Sequence, residues 1–94
     1  MRQVVIYREN VDVVILYIDE DGDLMYNSYS ICIGMEDGEP VLNFCYDEIG
    51  GVISVDMNTE PESYGSWIDW AVDAYAAYTG EEMEGYTVLS TYWR

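Results

Sequence analysis

Ninety-four residues with 19 Asp plus Glu, 3 Arg, no Lys and no His carry a formal net charge of −16 and a calculated pI near 4.1. The chain therefore lacks the commonest general base and transition-metal ligand, it lacks the amine for Schiff-base chemistry or phosphate binding, and its charge repels nucleic acid. Half of the residues are hydrophobic and 15% aromatic, which excludes a disordered acidic tail and leaves one folded domain over residues 1–94.

Gln3 to Arg8 reads as a strand, Glu9-Asn10 as its turn and Asp12 to Ile18 as a second strand. In that second run Val13, Ile15 and Tyr17 alternate with Val14, Leu16 and Ile18. Both faces are apolar, as in a strand covered on both sides, or covered on one side and apolar on the other. The acidic turn Asp19-Glu20-Asp21-Gly22-Asp23 holds an Asp-Gly hairpin signal, and a third strand is expected from about Leu24 to Ile33. A second acidic turn, Met35 to Pro40, leads to a fourth strand, Val41 to Tyr46. If Glu36 faces Val41, Cys32 faces Cys45 across the ladder and the two thiols can cross-link under oxidation. Gly50-Gly51 reads as a further turn before a short strand, Val52 to Asp56.

The period then changes. Trp67, Trp70, Ala71, Ala74, Tyr75 and Tyr78 recur at helical spacing, which places Tyr75 and Tyr78 in the core. The helix starts either at a capping box in Thr59-Glu60-Pro61-Glu62 or at Ser66, and Gly80 caps its end. Tyr86 to Trp93 alternates enough to return as a last strand. The fold class expected is α+β, an antiparallel β-meander of about five to six strands with one amphipathic helix packed on one face.

The N-terminal apolar run is too short for a signal-peptide core, and no stretch approaches the ~18 apolar residues of a membrane span. A cytoplasmic protein is expected, with Cys32 and Cys45 as reduced thiols, no cofactor and no membrane partner.

Asp19, Asp21 and Asp23 alternate like the first ligands of an EF-hand loop, but Gly22 stands where that loop needs no glycine and Ser30 stands where it needs Glu. A solvated turn is the better reading, and no metal site is assigned. Nineteen carboxylates make some close pair inevitable, so pairs alone do not point to glycoside hydrolysis. Serine and cysteine nucleophiles lack a His or Lys base. The chain reads as a non-enzyme. Arg2, Arg8 and Arg94 lie near the termini and meet if the first and last strands are neighbours, where they offset local repulsion.

The remaining carboxylates fall mainly in turns and loops, which makes them the candidate partner-binding groups: Asp19, Glu20, Asp21 and Asp23; Glu36, Asp37 and Glu39; Asp47 and Glu48; Glu60 and Glu62; Glu81, Glu82 and Glu84. Tyr26 joins them, because amphipathic rings beside charged turns add contact area. In a meander the first cluster and Asp47-Glu48 share one end of the sheet and Glu36-Asp37-Glu39 the other. Strands of about 6 to 9 residues set those ends roughly 20–30 Å apart. Such an array has the spacing over which a duplex presents several phosphates. A charge of −16 exceeds the roughly 2–8 that solubility asks of a small domain.

In small size, extreme acidity, few cysteines and abundant aromatics the chain resembles the phage and mobile-element anti-defence inhibitors of the anti-CRISPR and anti-restriction type, several of which mimic DNA. It is also similar to the immunity proteins that neutralise nuclease toxins. The resemblance implies an inhibitor that meets the basic nucleic-acid-binding surface of a CRISPR effector, restriction enzyme or other defence nuclease and blocks DNA binding, as a monomer or small homo-oligomer. An immunity protein for a basic nuclease toxin is the alternative, and a structural subunit of a phage particle a third.

Overall fold

The computed structural model describes residues 2–94, and of residues 32, 33 and 42–48 the backbone alone. Five strands, β1 (Arg2–Arg8), β2 (Asp12–Ile18), β3 (Leu24–Glu36), β4 (Glu39–Val52) and β5 (Thr87–Trp93), form one antiparallel sheet in the order β4-β3-β2-β1-β5. One helix, α1 (Tyr64–Thr79), enters between β4 and β5 after a short 3₁₀ turn at Met57–Thr59. The architecture is the expected α+β meander with a single helix, and the last strand returns beside the first.

The helix buries Trp67, Ile68, Ala71, Val72 and Tyr75 against Val4 and Ile6 of β1, Val14 and Leu16 of β2 and Leu24 of β3. The buried stripe is thus turned about one position from the expected one. Ile68 and Val72 take the inner places, Trp70 and Ala74 are half-buried, and Tyr78 is 52% exposed rather than core. Neither expected helix start is used. Asp56 caps the 3₁₀ turn through the Asn58 N–H, and Ser63 is the N-cap of α1, its carbonyl accepting from Trp67 N–H at 2.9 Å. Gly80 ends it as expected, at φ 74° with its N–H on the Ala76 carbonyl.

Two expected turns are revised. Asp37 and Gly38 both adopt positive φ, 51° and 82°, so a two-residue primed turn sets Glu36 opposite Glu39. That register pairs Cys32 with Asn43 and Ile31 with Phe44, so Cys32 and Cys45 are not opposite each other; their side chains lie outside the described residues. Gly50 and Gly51 are not a turn but lie within β4, opposite Asn27 and Tyr26. A Cβ on Gly50 meets Asn27 Oδ1 at 2.5 Å and one on Gly51 meets the Tyr26 ring at 3.1 Å, so glycine serves close approach here. Val52 ends β4, and the expected strand from Val52 to Asp56 is a loop.

β3 and β4 consequently outgrow the rest of the sheet. β2 pairs with β3 only as far as Asp12 opposite Ser30. Beyond that point β3 and β4 continue alone as a two-stranded arm to Glu36 and Glu39, roughly 20 Å for six residues of β3. The molecule measures 49 × 26 × 24 Å.

Where the arm leaves the body, Arg8 and Asp12 close the β1–β2 hairpin. Arg8 Nε and Nη2 each donate to an Asp12 carboxylate oxygen at 2.6 Å, and Ser28 Oγ donates to Asp12 Oδ2 at 2.9 Å. Arg8 Nη1 also reaches the Glu82 carbonyl at 3.2 Å, tying the loop after α1 to the sheet. Both residues are buried, and the Asp12 hydrogen bonds hold the guanidinium far above its already high pKa. Asp12→Ala strips that buried cation of its two-bond partner, leaving only the longer Glu81 and Glu82 contacts, and is expected to cost about 3–5 kcal/mol in urea denaturation, while Arg8→Met with Asp12→Leu recovers most of the loss. A single-variant cost under about 1 kcal/mol contradicts this role.

Candidate functional site

The turn and loop carboxylates collect at the two ends of the molecule. At one end the Asp19–Asp23 turn lies close to Glu60, since Arg2, Ile18, Glu60 and Arg94 bound one surface hollow. At the other end Glu9, Glu81, Glu82 and Glu84 surround a hollow beside Arg8, with the arm tip of Glu36, Asp37 and Glu39 beyond them. The 13 residues of β3 connect the two ends, which separates the first turn from the arm tip by roughly 40 Å and not 20–30 Å. Asp47 and Glu48 do not join the first cluster as expected. They lie within β4, where the register against β3 shifts between Tyr29 and Ile31, and their side chains are outside the described residues. The continuous β4, with its glycines inside the strand, is the reason.

Some of these groups are already engaged. Asp19 Oδ1 accepts the N–H groups of Asp21 and Asp23 at 3.0 and 2.9 Å, which closes its own turn. One ligand atom from each of Asp19, Asp21 and Asp23 falls within 4.8 Å of the others, as expected of three carboxylates on one tight turn. Glu60 is ion-paired with Arg2 and accepts from Trp67 Nε1 at 2.9 Å. Arg2 in turn lies 4.5 Å from the centroid of the Trp93 ring, and Trp93 packs edge-on to Trp67 at 5.9 Å. Glu81 reaches Arg8 at 3.4 Å. Glu20, Asp21, Asp23, Glu36, Asp37, Glu39, Glu62, Glu82 and Glu84 are exposed, with no described side-chain hydrogen bond or ion pair within the chain. These groups are available to a partner.

Tyr26 is placed elsewhere than expected. It lies on the helix side of the sheet, edge-on to Tyr75 at 5.2 Å and 6.1 Å from Tyr78, and so belongs to the core rather than to the acidic surface. Arg2 and Arg94 do meet near one end, but Arg8 is at the far end of β1.

The feature left out of the sequence-derived site is the open face of the sheet. The register aligns Gln3, Tyr17 and Met25; Val5, Ile15 and Asn27; and Tyr7, Val13 and Tyr29 on the side opposite the helix, with Tyr92 and Ser90 of β5 continuing two of these rows. None of these eleven residues is charged, and Glu48 at the register position opposite Tyr29 is the nearest acidic position on the edge strand β4. Val13 is 1% exposed although it stands outside the helix-side core. Alternation in β2 was its visible signal.

No protein-family model, curated protein or solved structure matches the chain. Among the described residues no helix is long and apolar enough to cross a membrane.

Burial, and then the charge of Asp12, raise the Tyr75 hydroxyl above its ordinary value of 10.0; burial, Asp69 and Asp73 do the same for Tyr86. A raised tyrosine pKa leaves the fold unaffected below pH 10 and weakens it as pH rises through the raised value, because the unfolded chain ionises first. Denaturant midpoints are expected to hold steady up to about pH 10 and fall above it, and Tyr75→Phe is expected to lessen the fall. An unchanged alkaline slope in that variant contradicts the assignment.

Proposed function

We propose that the chain is a non-enzymatic protein inhibitor that occupies the basic nucleic-acid-binding surface of a defence nuclease or CRISPR effector complex and keeps DNA from it. It acts in the cytoplasm where such complexes work, and its carboxylates stand in for phosphates.

The observation that carries this reading is the distribution of the charge. Three arginines face nineteen carboxylates, and Arg2 and Arg8 are committed to Glu60, Asp12 and Glu81 within the fold. Of the remaining negative groups, those of the Asp19–Asp23 turn and of the arm tip stand on tight turns roughly 40 Å apart, about the length of a dozen base-pair steps. Rigid placement matters because a surface that is ordered before contact spends less entropy on binding. Like-signed charge at both ends steers the chain to a basic groove and raises its association rate.

The test uses a purified CRISPR effector or restriction nuclease and its labelled target duplex. The protein is expected to displace the duplex, with an affinity that falls steeply as salt rises. The variant Glu36→Gln/Asp37→Asn/Glu39→Gln removes charge without removing any described internal bond, so binding is expected to weaken roughly tenfold while the melting temperature holds. A ternary complex in which the duplex stays bound contradicts the mimic mechanism.

A further inference from the structure

We propose that the open face of the sheet, continued along the arm, is a twofold contact surface for a second copy of this chain. The inference stands on the register and does not depend on the identity of the cationic partner.

The face has an unusual composition for this protein. The acidic groups occupy turns, loops, the helix's outer surface and the edge strand, yet Val5, Tyr7, Val13, Ile15, Tyr17 and Tyr29 lie side by side on three central strands with no charged residue among them. A −16 chain can approach its own copy only where like charges are not brought together. This side of β1, β2 and the first half of β3 meets that condition, whereas the helix side presents Asp69 and Asp73. Homodimer contacts are typically more apolar and poorer in charge than contacts between transient partners, which resemble ordinary surface. A heterologous partner attracted by the carboxylates has no such need for a charge-free centre.

Geometry supports the same occupant. Past Tyr29 the alternate positions of β3 are Ile31, Ile33 and Met35, and the register sets Phe44, Leu42 and Pro40 opposite these three. Met35 is 69% exposed. Five strands of about seven residues give a face of about 24 by 23 Å, and the arm adds about 20 by 10 Å, together roughly 750 Å² in projection. A stable interface takes roughly 800 Å² from each partner. Two such faces packed at the ordinary sheet-to-sheet distance of about 10 Å form a sandwich, and a twofold axis makes the contact self-complementary.

Sedimentation equilibrium on the intact chain tests this. A dimer is expected in the micromolar range, and it is expected to tighten as NaCl is added, because the acidic rims of two copies repel until screened. That salt dependence has the opposite sign to binding of a basic partner, so this inference and the inhibitor reading fail separately. Ile15→Glu is expected to weaken the dimer roughly tenfold or more, with the circular dichroism spectrum retained. Should that variant fail to fold, Tyr17→Ser removes contact area at the same face without a buried charge and is expected to weaken the dimer likewise. Asp69→Asn/Asp73→Asn, on the exposed side of α1, is expected to leave it intact. A chain that stays monomeric across this range at low and high salt overturns the proposal, as does a dimer indifferent to folded open-face variants or lost equally in the helix variant.

Discussion

Trp67, Ile68, Ala71, Val72 and Tyr75 reach from a sixteen-residue helix onto Val4, Ile6, Val14, Leu16 and Leu24, and the core they form is the contact on which the molecule rests. Removing that apolar surface from water is the main gain available to a chain with one helix. One helix covers one face of the sheet. The opposite face is apolar too and lies away from the helix. Around that arrangement the carboxylates have few places to go. Buried without a cation they are costly, so most stand at turns, in loops, on the outer side of the helix and on the edge strand β4.

The exceptions show how strictly the rule holds. Asp12 sits inward but lies in a two-bond contact with Arg8, and Glu60 is half-buried but shared by Arg2 and Trp67. Two of the three cations are thus used to let one carboxylate into each end of the β1 seam. These contacts join segments far apart in sequence: Arg2 to the loop before α1, and Arg8 to the loop after it. The helix is fastened at both of its approaches. Everything negative beyond these contacts repels its neighbours, and the fold tolerates this by spreading the charge along a 49 Å molecule.

The antiparallel meander, the helix and the Gly80 cap are legible in the sequence because each depends on local period or on a residue suited to positive φ. Several features were not. A Gly-Gly pair signals a turn as readily as close packing, and only the partner strand, with Asn27 and Tyr26 pressed against the glycine positions, decides between them. Asp37-Gly38 was correctly read as a turn, but its length was not, and a two-residue difference moved Cys32 from Cys45 to Asn43 and lengthened the sheet into an arm. The acidic groups were legible as a surface, while the engagement of Asp19, Glu60 and Glu81 depends on tertiary contacts. Tyr26 was misplaced because proximity to an acidic turn in sequence says nothing of which side of a strand faces the helix.

Charge and apolar surface are therefore segregated, the first at the ends and edges and the second on one sheet face, and each is suited to a different neighbour. Chemical footprinting of the tyrosines as protein concentration rises reads this segregation most directly. The account predicts that Tyr7, Tyr17 and Tyr29 lose reactivity together while Tyr64 and Tyr78, on the helix side, keep theirs. Protection that falls equally on both groups, or on neither at any concentration, contradicts it.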